Sequence, residues 1–278
     1  MKKSAVSLAI LATLSSSAFA DTQKIEGSDT LSGVMTSAIT SAGLQNEVSY
    51  VGGGSGNGEK AILAKSQAIA PMSRAFKPEA LAKAKAAGIE VIEHKVALDA
   101  LGVFVNKSNP VNSASISLLK KIFACEVTTW EAAFPSSAKK GPLKVYRRND
   151  NSGTTDTFKS LVMGSASFGA CATAVEETLD IAKLTSSDAN AIGFAGLSGA
   201  TDGNRALMVS KDGSNKPAIP PQVKYIRTMD YPLSRYLYVY EAKGSVTPTT
   251  AEAELLSNVL ERGFFDTILQ EHGFITLD

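Results

Sequence analysis

Apolar residues at Leu31, Val34, Met35, Ala38, Ile39 and Ala42 recur at the three- and four-residue spacing of one buried helix face. The helix they predict follows Gly27-Ser28-Asp29-Thr30, a run of small polar residues after an apolar start at Ile25. The same succession recurs twice. Val48–Val51 reads as a short strand that breaks into Gly52-Gly53-Gly54-Ser55-Gly56-Asn57-Gly58 before helical residues resume at Glu59. Residues 143–146 read as a strand leading through Arg147-Arg148-Asn149-Asp150-Asn151-Ser152-Gly153-Thr154 to Phe158, Leu161 and Val162 at helical spacing. Further helices are predicted over 78–87, 116–123 and 251–270, alternating with strands at 89–92, 100–105 and 237–240. Such alternation predicts an α/β fold with largely parallel sheets. Residues 211–221, rich in Gly, Pro, Ser and Asn, read as a surface loop.

The N-terminus changes where this chain is expected to work. Lys2 and Lys3, an apolar run from Ala5 to Leu14 and a small-residue end at Ala18-Phe19-Ala20 form the three parts of a secretory signal over residues 1–20. The apolar run is about ten residues, where a bilayer span needs roughly 20. Cleavage is expected before Asp21, with no cysteine beside it to carry a lipid, so the expectation is a periplasmic protein free in solution. Losing Lys2 and Lys3 takes the 28 basic residues to 26 against 27 acidic ones, a formal charge of −1. That balance points to no nucleic-acid or anionic-membrane partner. Cys125 and Cys171, 46 positions apart, are the two cysteines of the chain. An oxidising compartment favours their pairing, and closing such a loop stabilises a fold by about 4 kcal/mol in the chain-entropy account.

The three strand–loop–helix units share a chemistry. A helix start leaves backbone N–H groups unpaired and carries roughly half a positive charge, so an anion fits there. Glycine allows close approach, and Ser or Thr adds hydroxyl donors. One such loop is an ordinary cap; three, around Thr30, Ser55 and Ser152, suggest convergence on one anion. Arg148 adds a permanent planar fork suited to two oxygens of a tetrahedral oxyanion, and Asp150 lies close enough in sequence to orient it. Charge-assisted hydrogen bonds contribute about 1.5–3 kcal/mol each, and micromolar binding needs only about 8 kcal/mol net, so such a cradle is sufficient without a metal or cofactor.

These stretches resemble the phosphate-binding proteins of bacterial ABC importers. The resemblance lies in Gly27-Ser28-Asp29-Thr30-Leu31, Tyr50 through Gly58, Arg148 through Thr154, Ala191-Ile192-Gly193-Phe194 and Tyr231-Pro232-Leu233-Ser234-Arg235. It implies a class II periplasmic-binding-protein fold: two α/β lobes with mixed sheets, 21–97 plus 230–278 and 98–229, joined by crossover strands near 97–101 and 226–233. It also implies inorganic phosphate as ligand, ABC permease subunits as partners and a monomer. Carried over residue by residue, Thr30 and Leu31 bind from the first loop, Ser55 from the second, and Arg148, Ser152, Gly153 and Thr154 from the third. Many relatives place an aspartate after the strand that follows the second helix, as acceptor for the proton of phosphate. This chain has Ser73 there, so Asp29 is expected to take the acceptor role, and another oxyanion such as sulfate stays open.

Other classes fit less well. An exported hydrolase would use Ser152, but no G-x-S-x-G elbow surrounds it, and the histidines are His94 and His272. Two distant histidines and two paired cysteines form no recognisable metal set. Gly58 is followed by Glu59 and Lys60 rather than by the Lys-Ser/Thr of a nucleotide-binding P-loop. Trp130 and Tyr231 read as core or hinge packing. A phosphate-sensing protein that serves no transporter has the same sequence signature as an importer subunit.

Overall fold

The computed structural model describes residues 22–212 and 217–277. The proposed signal, the cleavage point and part of the 211–221 loop lie outside them. In chain order the strands and helices are β1 Gln23–Glu26, α1 Ser32–Ser41, β2 Val48–Val51, α2 Ser55–Leu63, β3 Ile69–Met72, α3 Pro78–Ala86, β4 Ile89–Asn106, β5 Ser113–Ser115, α4 Ile116–Phe123, α5 Trp130–Ala133 and β6 Lys144–Arg148. They continue as α6 Gly153–Phe158, β7 Ala172–Val175, α7 Thr178–Ser187, β8 Ala191–Gly196, β9 Asn204–Ala206, β10 Met208–Ser210, α8 Val223–Arg227, β11 Ser234–Gly244, α9 Thr250–Leu260, α10 Arg262–Glu271 and β12 Ile275–Thr276.

The sheets are mixed rather than largely parallel. β1 pairs with β2 in parallel, as β6 does with β7 and β8, but β4 is antiparallel to β11, β8, β9 and β12. The two strands predicted at 89–92 and 100–105 are one strand of 18 residues. Its first part is partly exposed along Glu90–Lys95, and its second is buried from Val96 to Val105. The polar stretch Glu93-His94-Lys95 is therefore a half-solvated strand rather than a break. β4 pairs with β11 as far as Ala100 and with β8 from Leu101 onward, so it runs from one half of the molecule into the other. Over 226–233 the chain is not a strand: α8 ends at Arg227, Met229 takes φ +57°, and β11 begins at Ser234.

The predicted helix 251–270 is two helices. Glu261, at φ −76° and ψ 102°, ends α9 and begins α10, and its carbonyl accepts from the Phe264 and Phe265 amides. Leu255 and Val259 share one buried face, as do Phe265, Ile268 and Leu269, but six residues from Val259 to Phe265 do not fit a 3.6-residue period. The break lets both faces stay buried.

Separate cores lie on either side. One gathers Val103, Phe123, Trp130, Phe158 and Phe194, with Phe158 and Phe194 stacked 3.9 Å apart. Another gathers Ile25, Leu31, Met35, Leu237, Leu255 and Phe265, beside a third around Met72, Phe76 and Tyr240. Cys125 and Cys171 form a disulfide with Cα atoms 5.9 Å apart, tying the end of α4 to the start of β7. No helix among the described residues is long and apolar enough to cross a membrane.

Candidate functional site

Three turns meet between these cores, and the local sequence explains why they can. At the first, Gly27 leaves β1 where a Cβ would lie 2.4 Å from the Pro71 carbonyl oxygen and 2.7 Å from the Tyr50 hydroxyl. The chain then forms a short 3₁₀ turn, Asp29–Leu31, ahead of α1. Tyr50 donates to the Ser28 carbonyl at 2.8 Å; burial, and then the charge of Asp29, push its pKa well up and keep it a donor. The second turn reaches α2 through Gly54 at φ +131°, a conformation that glycine tolerates. A Cβ there would lie 2.2 Å from the Asn151 carbonyl oxygen, which accepts from the Gly56 amide at 3.0 Å. In the third, the Ser152 hydroxyl caps α6 by accepting from the amides of Thr154 (3.2 Å) and Thr155 (3.4 Å).

The hydroxyls of all three turns come together. Ser55 Oγ accepts from the Ser73 amide at 2.9 Å and lies 3.3 Å from Ser73 Oγ, while Thr30 Oγ1 and Thr154 Oγ1 are 3.4 Å apart. A Cβ on Gly153 would sit 2.2 Å from Ser55 Oγ and 2.5 Å from Ser73 Oγ. Thr30, Leu31, Ser55, Ser73, Ser152, Gly153 and Thr154 are all buried, and contacts join Thr30 to Thr154 and Ser55 to Ser73 beside Gly153. Leu31 also packs into a core. A cavity of about 540 Å³ adjoins the cluster, sharing Asp29 and Thr30 and bounded beyond them by Gly52, Gly53, Thr178 and Phe274.

Arg148 is wholly buried. Its Nη1 donates to Asp29 Oδ2 at 2.9 Å and to Thr178 Oγ1 at 2.8 Å, and its Nε donates to the Glu176 carbonyl at 3.0 Å. Asp29 Oδ2 also accepts from the Thr178 amide at 3.2 Å. Burial lowers the Arg148 pKa; Asp29 opposes that and the nearby Arg235 charge adds to it, yet a guanidinium keeps its proton at neutral pH.

Asp150 does not orient Arg148. It pairs with Arg147 at 3.0 Å and Lys159 at 3.2 Å, with its side chain 66% exposed. Successive side chains on a strand point to opposite faces, so Arg147 and Arg148 diverge and Asp150 stays with the outer one.

Two groups were given no role in the sequence reading, although Arg235 stands in one of the matching stretches. Arg235, on β11, donates through Nη1 to Thr154 Oγ1 and through Nη2 to Thr30 Oγ1, and is clamped by Asp99 of β4. The available signal was a lone charge inside each of two apolar runs, Val96–Val105 and Leu233–Tyr240. Arg74 is the second: it forks onto Glu59 at 2.9 and 3.0 Å and reaches Asp156 of α6 at 2.7 Å, where Lys77 joins at 3.1 Å. Burial alone would lower the Arg74 pKa, but the bonds and charges of Glu59 and Asp156 outweigh it. His94 pairs with Glu241 and His272 with Ser37, neither with Ser152. Trp130 and Tyr231 are buried, and the Tyr231 hydroxyl donates to the Leu101 carbonyl at 2.9 Å.

Against known families, residues 13–261 match the PBP superfamily domain. The chain belongs to the PBP superfamily. Relatives in this superfamily include the protein SphX of Synechococcus elongatus, 33% identical over 79% of this chain. The chain spans 64% of SphX's length. Another is the phosphate-binding protein PstS of Pseudomonas aeruginosa, 26% identical over 90% of this chain and 81% of that protein. Among solved structures, a putative phosphate ABC transporter substrate-binding protein with bound phosphate from Clostridium perfringens superposes with a TM-score of 0.77. It shares 22% identity over 93% of this chain and 100% of that one. A possible phosphate-binding protein from Planctomyces limnophilus shares 26% identity over 92% and 93% of the two chains, with a TM-score of 0.62. These likenesses are to two-lobed PBP folds and fit the separate cores and the mixed sheets seen here.

Proposed function

We propose that this protein captures inorganic phosphate outside the cytoplasm and delivers it to the permease subunits of an ABC importer. One observation carries the reading: hydroxyls from three helix starts and the buried Arg235 guanidinium meet in one buried cluster, with Arg148 beside it, tied to Asp29. Donors fixed in a water-poor place bind an anion without reorganising, which is what capture at low concentration needs. The phosphate-binding names of its relatives support the same ligand.

In this proposal the lobes are 21–97 with 230–278 and 98–229, hinged where β4 changes partners, and the protein is a monomer exported by its N-terminal segment and free of lipid. Thr30, Leu31, Ser55, Ser73, Arg148, Ser152, Gly153 and Thr154 surround the anion. Asp29, at the edge of the cluster and holding Arg148, is the carboxylate that accepts the proton of hydrogen phosphate. Because Ser73 stands where many relatives have an aspartate, sulfate is the competing ligand.

Against an exported hydrolase weighs the state of Ser152: its oxygen caps α6, and neither histidine faces it. Calorimetric titration with phosphate and sulfate at two pH values tests the proposal. Phosphate binding with discrimination against sulfate is expected; no heat and no thermal stabilisation with any inorganic oxyanion overturns it. In Asp29→Asn the discrimination should narrow, and unchanged selectivity removes Asp29 from the acceptor role.

A further inference from the structure

Asp99 and Arg235 stand opposite each other on β4 and β11, where the chain passes from one core to the other. Both are about 95% buried. Asp99 Oδ2 accepts from Arg235 Nε at 2.9 Å and from Nη2 at 2.7 Å. The rest of the fork leaves the pair: Nη1 donates to Thr154 Oγ1 at 2.9 Å and more weakly to the Ser73 carbonyl at 3.4 Å, and Nη2 donates to Thr30 Oγ1 at 3.2 Å. A guanidinium has five N–H hydrogens and no acceptor, so these contacts engage all of them.

The direction of those bonds matters. A hydroxyl oxygen that accepts from an N–H turns its own hydrogen elsewhere. Arg235 thereby leaves the hydroxyl hydrogens of Thr30 and Thr154, whose oxygens are 3.4 Å apart, to be donated to an acceptor beside the pair. Ser55 is set the same way by the Ser73 amide, and Ser152 by the amides of Thr154 and Thr155. Backbone amides do this at the serines; at the threonines the work falls to one buried side chain.

We infer that the Asp99–Arg235 pair fixes the hydrogen-bond polarity of the oxyanion site. Arg235 is a positioning residue that turns Thr30 and Thr154 into donors and adds a permanent positive charge, and Asp99 holds its fork in register. The inference rests on the oxyanion reading given above. Its consequence is a preference for oxygens that carry lone pairs and no proton where they meet the two threonines, and so for the dianion of phosphate over the monoanion.

The test is calorimetric titration with inorganic phosphate on either side of its second ionisation, with unliganded melting curves. It compares the wild-type protein with Arg235→Lys, Arg235→Gln and the double variant Arg235→Gln/Asp99→Asn. Wild type should bind the dianion more tightly. Arg235→Gln should weaken binding by about 10- to 100-fold, the loss of one or two charge-assisted bonds, and should lose the preference for the dianion. Arg235→Lys keeps the charge and should keep that preference at reduced affinity. The double variant leaves no buried carboxylate unpaired, so it should fold even where Arg235→Gln does not, and it should still bind more weakly. A double variant with wild-type affinity and pH profile makes the pair a mere structural brace and overturns the inference alone. A wild-type protein that binds no oxyanion removes the functional reading, and this inference with it.

Discussion

Along β6 and the turn after it, the chain shows one edge to the hydroxyl cluster and the other to Phe168 and the surface pairs of Asp150. Arg148 is wholly buried, fixed by Asp29, Thr178 and the Glu176 carbonyl. Arg147, its immediate neighbour, packs its guanidinium 4.9 Å from the Phe168 ring centre and pairs with exposed Asp150. Further on, Ser152, Gly153 and Thr154 turn inward, while Asp150 and Lys159 pair on the outside. Two identical side chains, one peptide apart, thus occupy sites of very different worth. Taking Arg148 out of water makes each of its partners necessary, whereas solvent can replace the partners of Asp150.

Removing the inner arginine should give the largest effect. Arg148→Gln leaves Asp29 without its cation at the edge of a dry site; a loss of about 3–5 kcal/mol, read as oxyanion affinity together with melting temperature, is expected. Gly153→Ala comes next. The added methyl would meet two serine oxygens at under 2.6 Å, so the closed arrangement should weaken by about 1–3 kcal/mol, seen as reduced affinity with nearly unchanged far-ultraviolet circular dichroism. Asp156→Asn removes the charge that Arg74 and Lys77 meet across the cleft, but Glu59 still holds Arg74. A loss of about 1–2 kcal/mol in affinity is expected, shrinking as salt is added.

Asp150→Asn should change least, by at most about 0.5 kcal/mol after allowing for solvent screening, and should leave affinity intact. Hydrogen bonding from Arg147 and then Lys159 holds the Asp150 carboxyl below its ordinary range. Its small contribution is therefore present above the ordinary carboxylate pKa and is lost as pH falls through the lowered value. Melting temperatures of wild type and variant should accordingly converge in acid. A larger effect from Asp150→Asn than from Arg148→Gln would invert the contrast between the two faces.

Where helix periodicity and polar turns coincide, as at Thr30, Ser55 and Ser152, the turns into the helices were legible locally, because caps and turns are built from neighbours. Arg148 stood out in the sequence, but its partner did not. Asp29 lies 119 residues away, while Asp150 is near in sequence and on the wrong face. Arg235 and Asp99, 136 residues apart, meet only because two strands pair, and no local pattern reports strand register. The helix break at Glu261 was likewise missed: Gly263 beside it is a weak helix former, but the phase slip between Val259 and Phe265 is resolved only by what each face packs against.

The unbroken course of β4 limits how the two halves can move. It crosses side by side with β11, bonded to it down to the Ser234–Ala100 pair, and Tyr231 adds a stitch to Leu101. The passage is a ribbon rather than a tether. A ribbon resists stretching and shear but bends across its flat face and twists about its length, so it constrains relative motion of the halves to bending and twisting. Cutting the chain between Ala100 and Leu101 would divide β4 crosswise and leave each fragment a strand end with unpaired, adhesive backbone groups.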